Sequence, residues 1–328
     1  MKIRIVIVAA LGLALALYFV AYVGLGAVFS AAVAVGWSGF AILCLCAVGL
    51  FPLLGAAWCA LLPRASFADL KALVWARMVR DAATEVLPFS QLGGIVLGAR
   101  AAIVHGIAPP LAFGSMIVDV TAEFLAQIAY IALGLLLMSS GATQSSIAAP
   151  LTRIFVAGLV LAAVAGALFL ALQRHGHGLT LKLAGRLLPR AVATAAAVGD
   201  TLDSIYSSPA RVGLSVALHL AGWTAAALGT FIAFRLMGAQ VGFGSVMAIE
   251  SLICAARSAA AFVPNALGVQ EAAYAVLSPL FGVAADIGLA VSLLRRARDI
   301  AVGVPILLVW QAVEGRRALR LGPGDGIG

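Results

Sequence analysis

Charge is what this sequence has least of. Of its 328 residues only 10% are Asp, Glu, Lys or Arg, while 63% are hydrophobic. A soluble domain carries about 25% charged and roughly 45–50% apolar residues, so a water-soluble globule is excluded. A polar segment long enough to fold as an extramembrane enzyme domain is also lacking; the most polar stretch, 174–211, is itself half apolar. The alternation of apolar and polar residues that marks a transmembrane β-barrel is missing too. The apolar runs are instead long, unbroken and rich in Ala, Leu, Val and Gly. Helices are the remaining way to satisfy backbone polar groups in lipid, so the expected fold is an all-α integral membrane protein.

Cysteine and histidine are equally sparse, at four each. Cys44, Cys46, Cys59 and Cys254 sit inside apolar runs, where a free thiol packs as a small hydrophobe. His175 and His177 flank Gly176 in a basic loop with no Asp, Glu or Cys at ligand spacing, so no metal site is expected. No Gly-rich Lys-Ser/Thr loop is present, which removes nucleotide hydrolysis as a drive; no cofactor is implied. The start, Met1-Lys2-Ile3-Arg4 followed by an apolar run to about Val23, is too long for a signal-peptide core and reads as a membrane anchor.

Runs near the roughly 20 residues needed to cross hydrocarbon fall at about 5–24, 37–62, 109–138, 151–173, 211–237 and 287–313, giving six expected spans. Two further apolar stretches, 82–106 and 242–282, are interrupted by Pro and Gly. Fourteen of the 21 basic residues lie before the first span, after the second, between the fourth and fifth, and after the sixth. The opposite loops, 25–36, 139–150 and 238–241, have none. Basic loops stay in the cytoplasm, so both termini are expected there, in a bacterial inner membrane. This bias also accounts for the net charge of +8 without nucleic acid.

The two interrupted stretches resemble each other. Leu87-Pro88-Phe89-Ser90-Gln91-Leu92-Gly93-Gly94 follows Arg80, and Val263-Pro264-Asn265-Ala266-Leu267-Gly268 follows Arg257, with the prolines 176 residues apart. The same offset carries 37–62 onto 213–238 and Asp119 onto Arg295. Two halves of three spans each must have opposite topology, the plan of an inverted-repeat transporter with broken helices meeting near the midplane. The expected layout is a single transmembrane domain, with repeats at about 1–140 and 150–315, each holding a re-entrant pair of half-helices, and a basic, Gly-rich tail at 316–328.

The sixth span carries Arg295, Arg296, Arg298 and Asp299, with Arg296 roughly 15 Å in from Asp286. Three central arginines cost on the order of 8–10 kcal/mol unless compensated. Asp119 and Glu123, spaced i,i+4 on the third span, occupy the matching depth, so pairing across the two halves is expected; Glu271 and Arg257 form a further candidate pair. These charges either serve only as internal ion pairs that fix helix register, or also bind a ligand. The half-helix N-termini after Pro88 and Pro264 suit a phosphate, with Asn265 as cap or ligand.

The motif Phe262-Val263-Pro264-Asn265-Ala266-Leu267-Gly268-Val269-Gln270-Glu271, then Ser292-Leu293-Leu294-Arg295-Arg296-Ala297-Arg298-Asp299, and Trp310-Gln311-Ala312-Val313-Glu314-Gly315-Arg316-Arg317 resemble the flippase-like transmembrane family of lysylphosphatidylglycerol synthases. Within it the chain is most similar to the smaller membrane proteins associated with hopanoid biosynthesis. Leu87-Pro88 with Leu92-Gly93-Gly94 resembles the family's first-half motif. Asn265 departs from the family pattern, which usually has Gly there. The aminoacyl-transferring domain of the bifunctional synthases is not part of the resemblance, so no lysine transfer is implied.

The resemblance and the buried charges together point to a lipid carrier moving a polar-headed lipid, of hopanoid or phospholipid class, between leaflets. Arg257, Arg295, Arg296 and Arg298 would bind the headgroup, while Asp119, Glu123, Glu271 and Asp299 would position them or relay protons. Arg80, Pro88, Gln91, Gly93, Gly94, Pro264, Asn265, Gly268 and Gln270 complete the candidate site at the two breaks. Two alternatives stay open. One is an intramembrane lipid-modifying enzyme, for which His219 and His105 stand without recognisable acid partners. The other is a non-transporting partner of lipid-biosynthesis enzymes, docking through the basic stretch 180–203.

Overall fold

The computed structural model describes residue 30 and residues 33–87, 91–141, 148–175, 192–260 and 263–320. Its elements are α1 (Gly36–Cys59), α2 (Phe67–Val86), α3 (Gln91–Val104), α4 (Pro109–Gly141), α5 (Ala148–His175), α6 (Val192–Tyr206), α7 (Pro209–Leu236), α8 (Phe243–Ala259), α9 (Val269–Leu277) and α10 (Ala285–Arg320). Short 3₁₀ turns at Pro264–Ala266 and Ser278–Phe281 flank α9. All described regular structure is helical, and the chain is a multi-pass membrane protein. Four described helices are long and apolar enough to cross a membrane: Gly36–Cys59, Pro109–Ser139, Ala148–Gln173 and Pro209–Leu236.

Four of the six expected spans are thus matched by described helices. The stretch 5–24 lies outside the described residues. The stretch 287–313 falls within α10, a single 36-residue helix whose charged centre, Arg295 to Asp299, makes it too polar to rank with the four apolar spans. The first interrupted stretch was expected to begin its helix near residue 82, yet α2 starts at Phe67. Ser66 caps it: the Ser66 hydroxyl accepts from the Asp69 amide (3.2 Å), and the Asp69 carboxylate accepts from the Ser66 amide (2.8 Å). This reciprocal box satisfies two otherwise orphaned donors. The helix then buries Leu73, Ala76, Val79 and Ala83 on one side. Low mean hydropathy over 64–80 disguised an amphipathic helix as a loop.

Helices α2 and α3 pack as a hairpin; α2 also packs on α10, and α8 on α4. Helix α1 packs on α7, and α9 on α10. Small residues allow the close approaches, as expected where lipid gives no hydrophobic drive between helices. A Cβ on Gly55 of α1 would lie 2.7 Å from the Val74 Cα of α2, and one on Gly134 of α4 would lie 1.6 Å from the Ser251 Oγ of α8.

Two apolar clusters result. The first joins Trp58, Leu73, Val79 and Met116 to Ile306 and Trp310. The second gathers Phe234, Ile249, Leu252 and Tyr274 with Ile131 and Leu294. Helices α4 and α10 run through both. On α4 the stretch between Met116 and Ile131 carries Asp119 and Glu123; on α10 the stretch between Leu294 and Ile306 carries Arg295 to Asp299. The charges therefore form a belt between two apolar layers.

Ser66→Ala should lower stability by about 1 kcal/mol, the usual worth of an N-cap, read as a lower unfolding temperature in detergent. The Ser66 hydroxyl and amide hold the Asp69 carboxyl below its ordinary value, so its part of the cap is present at neutral pH and fades as pH falls through that lowered value. Gly55→Ala should destabilise by about 1–3 kcal/mol, because the Val74 backbone as well as its side chain stands in the way. Gly134→Ala should be rescued by Ser251→Gly, because there the obstruction is a side chain. A Gly134→Ala/Ser251→Gly pair no more stable than Gly134→Ala alone would contradict this packing.

Candidate functional site

The first half of the charged belt is a cage on α2, α4 and α7. Arg77, Arg80 and Asp81 project from α2, Asp119 and Glu123 from α4, and His219 from α7. Arg77 Nε donates to Asp81 Oδ2 (2.8 Å), Nη1 to Asp119 Oδ2 (3.3 Å) and Nη2 to Glu123 Oε1 (2.6 Å). Arg80 repeats the grip, with Nη1 on Asp119 Oδ2 (3.0 Å) and Nη2 on Glu123 Oε2 (2.6 Å). The remaining Asp119 oxygen, Oδ1, lies 2.9 Å from His219 Nε2. The i,i+4 spacing of Asp119 and Glu123 is what lets one carboxylate pair receive two parallel guanidinium groups.

The second half is built on α8, α9 and α10. Glu250 of α8 accepts from both Arg295 of α10 and the Tyr274 hydroxyl of α9. Arg298 is bound to its own neighbour, Asp299, through Nε (3.0 Å) and Nη2 (2.6 Å). A third set joins the halves. Arg257 of α8 donates through Nη2 to both oxygens of Glu85 on α2 (2.9 and 3.0 Å), and the Asn265 amide donates to the Glu85 carbonyl (2.6 Å).

These partners correct three expectations. Asp119 and Glu123 do not pair with arginines of the second half; their guanidinium groups come from α2, which packs beside α4 through α3 within the same half. Glu271 does not pair with Arg257 but with Arg296, while Arg257 reaches across to Glu85. His219, expected to stand alone, has Asp119 as its partner. His105 caps its own helix, its Nδ1 lying 2.9 Å from the Ala101 carbonyl.

At the second break the backbone turns sharply: Asn265 and Ala266 both have positive φ, 49° and 47°. Left-handed geometry in two successive non-Gly residues costs energy and persists only where the surroundings enforce it. Arg296 is the enforcing group, contacting the Asn265 and Ala266 carbonyls (3.4 Å each) and the Glu271 carboxylate. Glu271 in turn accepts from the Gly268 amide (2.8 Å), so the first amide of α9 is occupied by the chain's own carboxylate. Gln270 is buried and donates to Ser292 (3.0 Å). Thus Arg296, Glu271, Gly268 and Gln270 form the scaffold that shapes the turn beginning at Pro264.

Between these sets lies a cavity of about 890 Å³. Five guanidinium groups (Arg77, Arg80, Arg257, Arg295 and Arg298) and four carboxylates (Asp81, Glu85, Glu123 and Asp299) line it, with His219, Asn265 and Ala266. Apolar walls come from Leu50 and Leu54 of α1 and Ile306 of α10. Its size is within the range for small-molecule sites. Three buried polar atoms among the described residues have no hydrogen-bond partner on this lining: Arg295 Nε, Asn265 Oδ1 and His219 Nδ1. Such atoms are rare in folded proteins and call for a ligand, ion or water.

Of the residues singled out in the sequence, the structure brings Arg80, Glu123, Arg257, Asn265, Arg295, Arg298 and Asp299 onto the cavity, with Asp119 directly behind. Gly94 of α3 approaches the Arg80 carbonyl and Thr84, a packing position, and Gly93 beside it is exposed. Pro88 lies outside the described residues, as does the side chain of Gln91. The sequence reading missed Arg77, Asp81, Glu85, Glu250 and Tyr274. Their signals were present: Arg77, Asp81 and Glu85 fall at i, i+4 and i+8 on one helical face, and Glu250 interrupts the apolar run Val246 to Cys254.

No curated protein and no solved structure matches the chain. A family model does, that of the lysylphosphatidylglycerol synthase TM region, over residues 3–306. The match spans α1 to α9 and most of α10, including the whole charged belt. The chain belongs to the family of lysylphosphatidylglycerol synthase TM regions.

Proposed function

We propose that the protein is a lipid carrier which moves a polar-headed lipid, of phospholipid or hopanoid class, between the leaflets of a bacterial inner membrane. The headgroup occupies the charged cavity while the acyl or polycyclic tail stays against the apolar outer helices. The observation that carries this reading is the cavity itself: mixed charge, apolar walls, and two lining residues, Arg295 and Asn265, that each keep a buried polar atom, Nε and Oδ1, without a partner. An anionic oxygen answers the first and a headgroup hydroxyl the second. The arrangement is that of a binding site, and we read the protein as a carrier rather than an enzyme.

An inverted repeat of three plus three spans, each with a re-entrant helix pair, belongs to the same proposal. Several observations support it. The 176-residue offset carries the start of α2 (Phe67) onto that of α8 (Phe243), and the start of α4 (Pro109) onto that of α10 (Ala285). Packing follows the same exchange, since α2 lies on α10 as α8 lies on α4, and α1 meets its counterpart α7. The offset also swaps charge sign, with Asp81 matched to Arg257 and Asp119 to Arg295. The distribution of basic residues supports cytoplasmic termini.

Reconstitution tests the proposal. Vesicles holding the full chain and fluorescent phosphatidylglycerol should exchange the lipid between leaflets, measured by dithionite quenching. Arg295→Ala/Arg298→Ala should lower the rate at least about tenfold, the effect of losing one well-bound contact of about 1.4 kcal/mol. The single change Arg298→Gln, whose partner Asp299 lies beside it on the same helix, should give an intermediate rate in well-folded protein. Equal rates in wild type and both variants would contradict the carrier reading.

A further inference from the structure

The ion pairs of the second half are matched one to one: Glu250 with Arg295, Glu271 with Arg296, Asp299 with Arg298, and Glu85 with Arg257 across the halves. The cage of the first half is not. There two guanidinium groups, Arg77 and Arg80, face three carboxylates, Asp81, Asp119 and Glu123. With a neutral imidazole the cage holds one surplus negative charge, buried beside the space meant for a headgroup. Among the described residues the one further titratable group bonded to it is His219, whose Nε2 lies 2.9 Å from Asp119 Oδ1. A second, independent observation concerns the other ring nitrogen: Nδ1 is buried and has no partner, and His219 lines the cavity. His219 is only 1% exposed.

We propose that the His219–Asp119 pair is a proton-binding site, and that one proton travels with each anionic headgroup. This rests on the carrier reading and names its coupling ion. An unpaired carboxylate inside a low-dielectric cavity repels an anion. A proton on His219 closes the count of the cage, two guanidinium groups and one imidazolium against three carboxylates. Proton and monoanionic headgroup together then add no net charge to the protein, so the step is electroneutral. In that state Nε2–H donates to Asp119 Oδ1, and the imidazolium places a positive charge behind the cavity wall that His219 helps to line. When the headgroup leaves, the proton leaves with it.

The groups around His219 are consistent with this assignment. From α4 it meets Asp119 and Glu123, and behind them Arg77, Arg80 and Asp81 of α2. Helices α8 and α10 present Cys254, Arg257, Arg295, Arg298 and Asp299 to the same cavity, and of these Arg257, Arg295, Arg298 and Asp299 are already matched in pairs. Helix α1 contributes only apolar lining, and the acids of α6, Asp200 and Asp203, are exposed.

Vesicles containing the full chain, fluorescent phosphatidylglycerol and internal pyranine supply the test, with membrane potential clamped by potassium and valinomycin. A pH step of one unit should drive wild-type protein to an asymmetric lipid distribution of about tenfold toward the alkaline side, as one coupled proton requires. Lumenal acidification should match the lipid moved, and changing the clamped potential should leave the ratio unaltered. In His219→Gln the asymmetry should vanish, and in Asp81→Asn, which removes the surplus charge while keeping the imidazole, it should vanish too. A symmetric distribution in wild type that does exchange lipid, or a tenfold asymmetry retained in His219→Gln, would overturn the proposal. A measurement independent of transport separates it from the carrier reading. In ¹⁵N spectra of histidine-labelled protein, the resonance lost in His219→Gln should become imidazolium on adding glycerophosphoglycerol at neutral pH. A neutral tautomer throughout would overturn the proton site. That response in protein that moves no lipid would leave the proton site standing and overturn the carrier reading instead.

Discussion

Hydrocarbon cannot solvate a guanidinium or a carboxylate, and each one held there must find its opposite within a few ångströms or open a path to water. The molecule is arranged around that constraint. Its two longest helices, α4 and α10, carry their charges between two apolar clusters, so that acids and bases meet in one belt. Helices that carry little charge, α1, α5 and α7, are free to face lipid. Helices α2 and α8, which carry acids as well as arginines, are drawn inward to supply partners. Glycines at the crossings let the backbones come close enough for these side chains to reach one another.

Pairing alone does not explain the arrangement, because buried ion pairs contribute little to stability over apolar packing of the same volume. What the pairs do here is hold a cavity open with defined donors. Arg296 and Glu271 spend their hydrogen bonds on a strained turn, which in turn aims Asn265 into the space. Glu250 and Tyr274 hold Arg295 by its Nη1 end and leave Nε turned inward without a partner. The cage around Asp119 brings His219 to the opposite wall. The lining thus gathers guanidinium groups, carboxylates and one imidazole around a single space.

Much of this was legible in the residues. Composition excluded everything but a helical membrane protein, and the charges at Arg295, Arg298, Asp299, Asp119 and Glu123 announced a polar interior. The Pro264 motif marked a break because Pro and Gly punctuate helices whatever surrounds them. Who pairs with whom was not legible, since it depends on crossings between distant segments. Asp119 and His219 are 100 residues apart, and Glu85 and Arg257 are 172 apart. Helix α2 was obscured for a related reason: its arginines depress its hydropathy, and only burial against α3, α4 and α10 shows that they point inward.

The account stands on a wet, charged cavity lying within the membrane. Ala226 of α7 lines that cavity, and a single cysteine there, in protein whose Cys44, Cys46, Cys59 and Cys254 are replaced by Ala, reports on it directly. In sealed vesicles a charged, membrane-impermeant thiosulfonate should modify Ala226→Cys, and glycerophosphoglycerol should slow the reaction. Reaction with membrane-soluble maleimide alone, unaffected by the headgroup, would mean that the belt is a dry structural clamp and would contradict the account.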